Sequence, residues 1–126
     1  MRFLLDTDIA IYWLTDDERL PRLAREIIED DNNEILFSIA SVWEIATRVA
    51  GDKLKVNILE LESALLSDGI NVLPVTTAHC AHVSEIPKDL TDGFDRMLIA
   101  QAQEESILFL TTDVALTRFG KSVVTV

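Results

Sequence analysis

The chain has little with which to staple or stiffen itself. One of its 126 residues is cysteine, Cys80, so no internal disulfide can form and a cysteine-based zinc cage is excluded. There are three prolines (Pro21, Pro74, Pro87) and four glycines (Gly51, Gly69, Gly93, Gly120), too few for a linker or a low-complexity tract. Nor is there a glycine-rich loop of the kind that cradles a nucleoside triphosphate. Positive charge is scarce: 11 Lys and Arg against 22 Asp and Glu leave a formal net charge of −11. Such a chain cannot gather nucleic acid by bulk attraction, because its long-range field repels phosphates. A polyanion has to be met locally, through a basic rim or a bound cation. Long hydrophobic runs are missing too. Phe3-Leu4-Leu5 stops at Asp6, too short for a signal-peptide core. The longest stretch without a formal charge, Gly69 to Ser84, contains Pro74, two histidines and several hydroxyls, so no membrane span is expected.

What is present is a domain's worth of chain, 48% hydrophobic and 26% charged, able to bury a core without disulfides. A single acidic domain over residues 1–126 is expected, and the lone thiol suits a reducing cytoplasm. Short apolar runs alternate with helical periodicity. Phe3 to Leu5, Ile35 to Phe37, Ile70 to Leu73, Ile107 to Leu110 and Val123 to Val126 read as strands. Between them, Ile9–Leu14, a segment opened by Pro21 with Leu23, Ile27 and Ile28 on one stripe, Ser41–Val49, Ile58–Leu66, Thr77–Ser84 and Phe94–Glu105 read as helices. Apolar strands separated by helices describe a parallel sheet covered on both faces, so the expected fold is a three-layer α/β/α sandwich with four to five strands. In such sheets ligands bind at the carboxyl ends of the strands, where neighbouring crossovers diverge.

Acids stand at those ends. The first strand runs into Asp6 (Leu5-Asp6-Thr7-Asp8), the second into a helix carrying Glu44, and the fourth into Thr111-Thr112-Asp113; the helix before the fourth opens Asp92-Gly93-Phe94-Asp95. Each has an ordinary explanation. Asp8, Asp92 and Asp113 suit helix capping, and Glu44 with Arg48 has the i,i+4 spacing of a solvated surface pair. Asp95 resists such an explanation, because it shares a stripe with Leu98, Ile99 and Ala102 and so points toward the core. Asp6 likewise continues an apolar strand. If Asp6, Glu44, Asp95 and Asp113 converge at ~5 Å, each pair repels by roughly 3 kcal/mol at an effective dielectric of ~20. They then retain protons or share a divalent cation. An all-oxygen donor set suits Mg²⁺ or Mn²⁺ rather than zinc, and such a cation typically serves phosphate chemistry.

These segments, nearly end to end, resemble the PIN-domain ribonucleases, in particular the VapC-type toxins of bacterial toxin–antitoxin pairs. Phe3-Leu4-Leu5-Asp6-Thr7 is similar to the family's first acidic motif, and Ser41-Val42-Trp43-Glu44-Ile45-Ala46 to its second. Asp92-Gly93-Phe94-Asp95-Arg96-Met97-Leu98-Ile99-Ala100 is the most specific piece, and Leu110-Thr111-Thr112-Asp113 resembles the last. The resemblance implies that Asp6, Glu44, Asp95 and Asp113 surround one or two Mg²⁺ or Mn²⁺ ions, with Asp6 and Asp95 as direct ligands and Asp8, Asp92, Thr111 and Thr112 behind them. It implies hydrolysis of RNA phosphodiesters by activated water, an antitoxin protein that blocks the groove, and a homodimer. The chain departs from the family pattern at Gly93, where relatives often have Pro, and at Leu90 and Thr91, where they often have a His-Arg pair.

Arg48, Lys53, Lys55 and Arg96 are the candidate RNA contacts. Trp13 and Trp43 could stack on bases, although hydrophobic core or a dimer interface accounts for them more simply; His79, Cys80 and His82 read as packing rather than a metal site. Two alternatives stay open. Asp6-Thr7-Asp8 also resembles the opening of haloacid-dehalogenase phosphatases, in which the first Asp attacks phosphorus. A non-enzymatic acidic module that binds a cation or a basic peptide is the other.

Overall fold

The computed structural model describes residues 1–126. Five strands, β1 (Arg2–Leu5), β2 (Glu34–Ser38), β3 (Ile70–Leu73), β4 (Leu108–Thr111) and β5 (Val123–Thr125), form one parallel sheet in the order β3-β2-β1-β4-β5. The helices are α1 (Thr7–Leu14), α2 (Arg22–Glu29), α3 (Ile39–Ala50), α4 (Ile58–Ser67), α5 (Thr77–Val83) and α6 (Gly93–Glu104), followed by a 3₁₀ helix, Val114–Phe119.

The sheet is covered on both faces because successive strand residues point to opposite sides. Phe3, Leu5, Ile35, Phe37 and Leu110 pack with Ile9 of α1, Ala24 and Ile28 of α2, Ile45 of α3 and Leu61 and Leu65 of α4. Leu4, Leu36 and Phe109 face the other way, against Leu98, Ile99 and Ala102 of α6 and Leu116 and Phe119 of the 3₁₀ helix. The expected three-layer sandwich is therefore the observed one, with five strands.

Starting from β1 the chain builds β2 and β3 in one direction, and β4 and β5 lie in the other, so α1–α4 cover one face while α5, α6 and the 3₁₀ helix cover the other. The order reverses between β1 and β4, which opens a crevice at their carboxyl ends. There the Asp6 amide donates to the Leu110 carbonyl at 2.8 Å, which ties the two strand ends together. A buried polar strut holds α3 and α6 in register above them: the Ser38 hydroxyl caps α3 and donates to Gln101 of α6 at 2.6 Å, and both side chains are fully buried.

One expectation needs correction, and one segment carried no expectation. Leu23 does not join the buried stripe of α2; it is 52% exposed, and Ala24 with Ile28 makes the contact, because the small Ala24 lets the helix sit close to the sheet. The segment between β4 and β5, which carries no clear periodicity, forms a 3₁₀ turn whose Leu116 and Phe119 cover the sheet edge. His79 behaves as a core residue: fully buried, its Nδ1 accepts from the Thr76 amide and its Nε2 lies 2.9 Å from Glu105.

Truncating the fully buried Phe109 to Ala removes packing from the middle of β4 and should cost about 3–5 kcal/mol. Urea unfolding should show a lower midpoint with an unchanged slope.

Candidate active site

The crevice between β1 and β4 is lined by the ends of four segments. Asp6 follows β1 and caps α1: one carboxylate oxygen accepts from the Thr7 amide at 2.7 Å, the other from the Thr111 hydroxyl at 2.6 Å. Thr111, the last residue of β4, is fully buried; its hydroxyl donates to Asp6 and accepts the Asp113 amide at 3.1 Å, which ties the two acidic segments together. Burial pushes the Asp6 carboxyl up to about 6 even though both hydrogen bonds favour the charged form, and the neighbouring Asp8 and Glu44 add to the rise.

Asp95 lies in the first turn of α6. Asp92 caps that helix by accepting the Asp95 amide at 3.0 Å, which aims the Asp95 side chain inward while leaving its carboxylate with no hydrogen bond from the protein. Burial, followed by the charges of Asp6, Asp92, Glu44 and Asp113, pushes it up to about 7. The acids at residues 6, 44, 92 and 113 all lie near enough for their charges to make Asp95 harder to ionise.

Glu44, on α3, is only 16% exposed and both of its oxygens are engaged: one accepts from the Thr7 hydroxyl at 2.6 Å, the other from Arg48 at 2.8 Å. Arg48 also reaches Asp8 at 2.8 Å, so Asp8 serves an ion pair rather than a cap, and the Glu44–Arg48 pair is not the solvated one that i,i+4 spacing suggests. Asp113 caps the 3₁₀ helix through the Ala115 amide and otherwise faces solvent, beside the exposed Thr112.

Arg96 overturns its expected role. Its guanidinium donates to four backbone carbonyls, of Val83, Ile86, Pro87 and Leu90, at 2.7–2.9 Å. These carbonyls lie at the end of α5 and in the loop that leads to α6; those of Ile86 and Leu90 have no backbone donor, and a side chain committed to all four is not a free RNA contact. Lys53 and Lys55 lie exposed in the loop after α3, and no ion pair of the structure involves a lysine. Trp43 is 66% exposed and packs edge-on against Phe94 with ring centroids 5.0 Å apart, so it is not core. Thr7 and Ser41, whose hydroxyls lie 2.9 Å apart beside Glu44, are members of the site that the search for acids passed over. Their signal was positional: a hydroxyl next to Asp6 in sequence, and another one helical turn before Glu44.

No three His, Cys, Asp or Glu side chains stand in an arrangement ready to hold a metal ion. Mg²⁺ does not require one, because it retains several waters and is commonly bound by one or two carboxylates together with substrate phosphates. The donor set fits that habit. Asp95 is an unpartnered carboxylate disfavoured as a bare anion, and Asp6 beside it is held rigidly by Thr7 and Thr111.

The profile of the PIN domain family matches residues 3–122. The chain belongs to the PIN-domain family. Solved structures with the same fold include a chain of VapBC2 from Rickettsia felis, crystallised bound to a DNA fragment from its promoter (TM-score 0.72, 16% identity, covering 100% of this chain and 98% of that one). A chain of VapBC-1 from nontypeable Haemophilus influenzae has a TM-score of 0.69 at 20% identity and covers 100% and 97%. A chain of a toxin–antitoxin complex from Klebsiella pneumoniae has 0.63 at 17% and covers 97% and 95%. Among curated proteins no significant match to the chain was found. For this PIN domain the phosphatase alternative loses its footing, since Asp8 is spent on Arg48 and no lysine pairs with Asp6.

Because Asp6 and Asp95 hold protons in the folded chain that unfolded carboxyls have already released, unfolding releases protons between about pH 4 and pH 7, and these two groups lower stability as pH rises through that window. Asp95→Asn should therefore melt several degrees above wild type at pH 8, with the difference vanishing near pH 4. Millimolar Mg²⁺ should raise the wild-type Tm at pH 8 and raise that of the variant less. Calorimetry across pH reads both.

Proposed function

We propose that this PIN domain is a metal-dependent endoribonuclease and the toxin of a toxin–antitoxin pair. The observation that carries the reading is Asp95, an inward-facing carboxylate without a hydrogen-bond partner that is opposed by four other acids at the strand ends. A site of this kind has a use only when a cation enters it. Asp6 and Asp95 would be the direct ligands of Mg²⁺ or Mn²⁺, with Glu44 acting through water and Asp113 in the outer ring, for one or two ions. When bound, the ion supplies an activated water and stabilises charge on the phosphate oxygens. The chain's own part is positional. Thr111 and the Thr7 amide fix the Asp6 carboxylate, Asp92 aims Asp95, and Thr7 with Arg48 holds Glu44 at the rim, where it can take a proton from a water.

An antitoxin partner is supported by neighbours that are themselves VapBC or toxin–antitoxin complexes. A homodimer is supported by one face of the molecule. Ile39, Trp43, Val75, Phe94 and Met97 line an open cavity of about 480 Å³ with no charged residue in its wall. In a chain of net charge −11, that uncharged face is where two copies can approach without repulsion. No helix is long and apolar enough to cross a membrane, which is consistent with the cytoplasm as the place of action.

Asp6→Asn or Asp95→Asn should lower RNA cleavage in Mg²⁺ or Mn²⁺ by at least a hundredfold while circular dichroism stays unchanged. Undiminished cleavage by either variant sinks the site assignment, and inertness of the wild type toward every RNA tested favours the binding module. Trp43→Asp should convert a dimer to a monomer by light scattering; a wild type that is already monomeric contradicts the dimer.

A further inference from the structure

Arg48 is the one cation bonded to any carboxylate of the crevice. Its two terminal nitrogens are divided between carboxylates of different helices, Asp8 on α1 and Glu44 on α3, each at 2.8 Å. Those bonds use one hydrogen on each nitrogen. Nε–H and the second hydrogen of each terminal nitrogen have no acceptor in the protein, and the side chain remains 31% exposed. An arginine in a plain surface pair is a mobile side chain. This one is clamped from both sides, with its planar fork fixed and three of its five donors unspent, beside acids that the proposed reaction uses.

We propose that Arg48 binds a phosphate of the RNA backbone next to the scissile one, and that Asp8 is a positioning residue that aims it. The inference rests on the nuclease reading and deepens it. A planar guanidinium held in one orientation can give two parallel N–H bonds to phosphate oxygens, which a flexible lysine cannot. The anchoring carboxylates order the side chain in advance, so little rotamer freedom is lost when RNA arrives. In a chain of net charge −11 these fixed, unspent donors give a polyanionic substrate a directed hydrogen-bonded foothold that bulk charge does not supply. With Arg96 turned into backbone carbonyls, no other arginine stands ready at the crevice for this task.

Asp8 makes the proposal sharp, because charge alone predicts the opposite result. Removing a carboxylate from an acidic protein should strengthen RNA binding; removing one that aims a phosphate-binding arginine should weaken it. The test uses a short fluorescein-labelled single-stranded RNA, with anisotropy measured in Ca²⁺ over a salt series and cleavage kinetics measured in Mg²⁺. Arg48→Gln should weaken binding roughly tenfold and reduce the slope of log affinity against log salt by about 0.7, the share of one phosphate contact on a single strand. Asp8→Ala should weaken binding several-fold, with the loss appearing in KM more than in kcat. Asp8→Asn, whose amide oxygen still accepts from Arg48, should recover most of it. Melting temperatures near wild type show that each variant folds. Equal or tighter binding by Asp8→Ala, in a wild type that cleaves RNA, overturns this inference and leaves the nuclease reading in place. A wild type that neither binds nor cleaves RNA overturns both.

Discussion

Taking carboxylates out of water without giving them cations is the constraint on which the rest of this molecule depends. The sheet forces it. Parallel strands buried on both faces must end somewhere, and where β1 and β4 end the two crossovers part to opposite sides, so strand tips and helix starts gather there. Helix starts welcome acids, through caps and through the dipole. Asp6, Asp92 and Asp113 each do that local work, accepting the amides of Thr7, Asp95 and Ala115. Local stability and global repulsion are thus produced by the same residues. Each acid is favourable to its own helix, while burial first and neighbouring carboxylates second keep Asp6 and Asp95 protonated well above the usual carboxylate range.

That division explains what could be read from the sequence. The strands were visible because runs such as Phe3-Leu4-Leu5 and Ile35-Leu36-Phe37 are apolar on both faces, which only a doubly covered sheet demands. Asp95 was visible because a charged residue on the stripe of Leu98, Ile99 and Ala102 breaks the helical pattern. Leu23 misled because helical spacing places Leu23, Ala24, Ile27 and Ile28 on nearly the same side, and only packing against the sheet decides which of them is in contact. The 3₁₀ segment escaped for a related reason: six residues are too few to display a period.

The side-chain partners were the least legible part. Arg48 finds Asp8 forty residues away, and no spacing rule connects α1 to α3. Arg96 sits inside the most recognisable motif of the chain, yet its function is set by the carbonyls of Val83, Ile86, Pro87 and Leu90, which carry no side-chain signature at all. A basic residue next to a site acid reads as a substrate contact until the loop before it is seen to need donors. Thr7 and Ser41 were hidden by being small and polar at places where hydroxyls are common.

The Arg96 contacts also bear on how α6 is launched. Gly93 opens that helix, with open space around its Cα, so nothing in its own backbone stiffens the approach to Asp95. One guanidinium, gripping the preceding stretch at four points, does from outside what a rigid ring at Gly93 would do from within. The orientation of the helix's first turn is consequently inherited from a tethered neighbour, and a chain that lost this tether would keep every acid in its sequence while losing the direction in which one of them points.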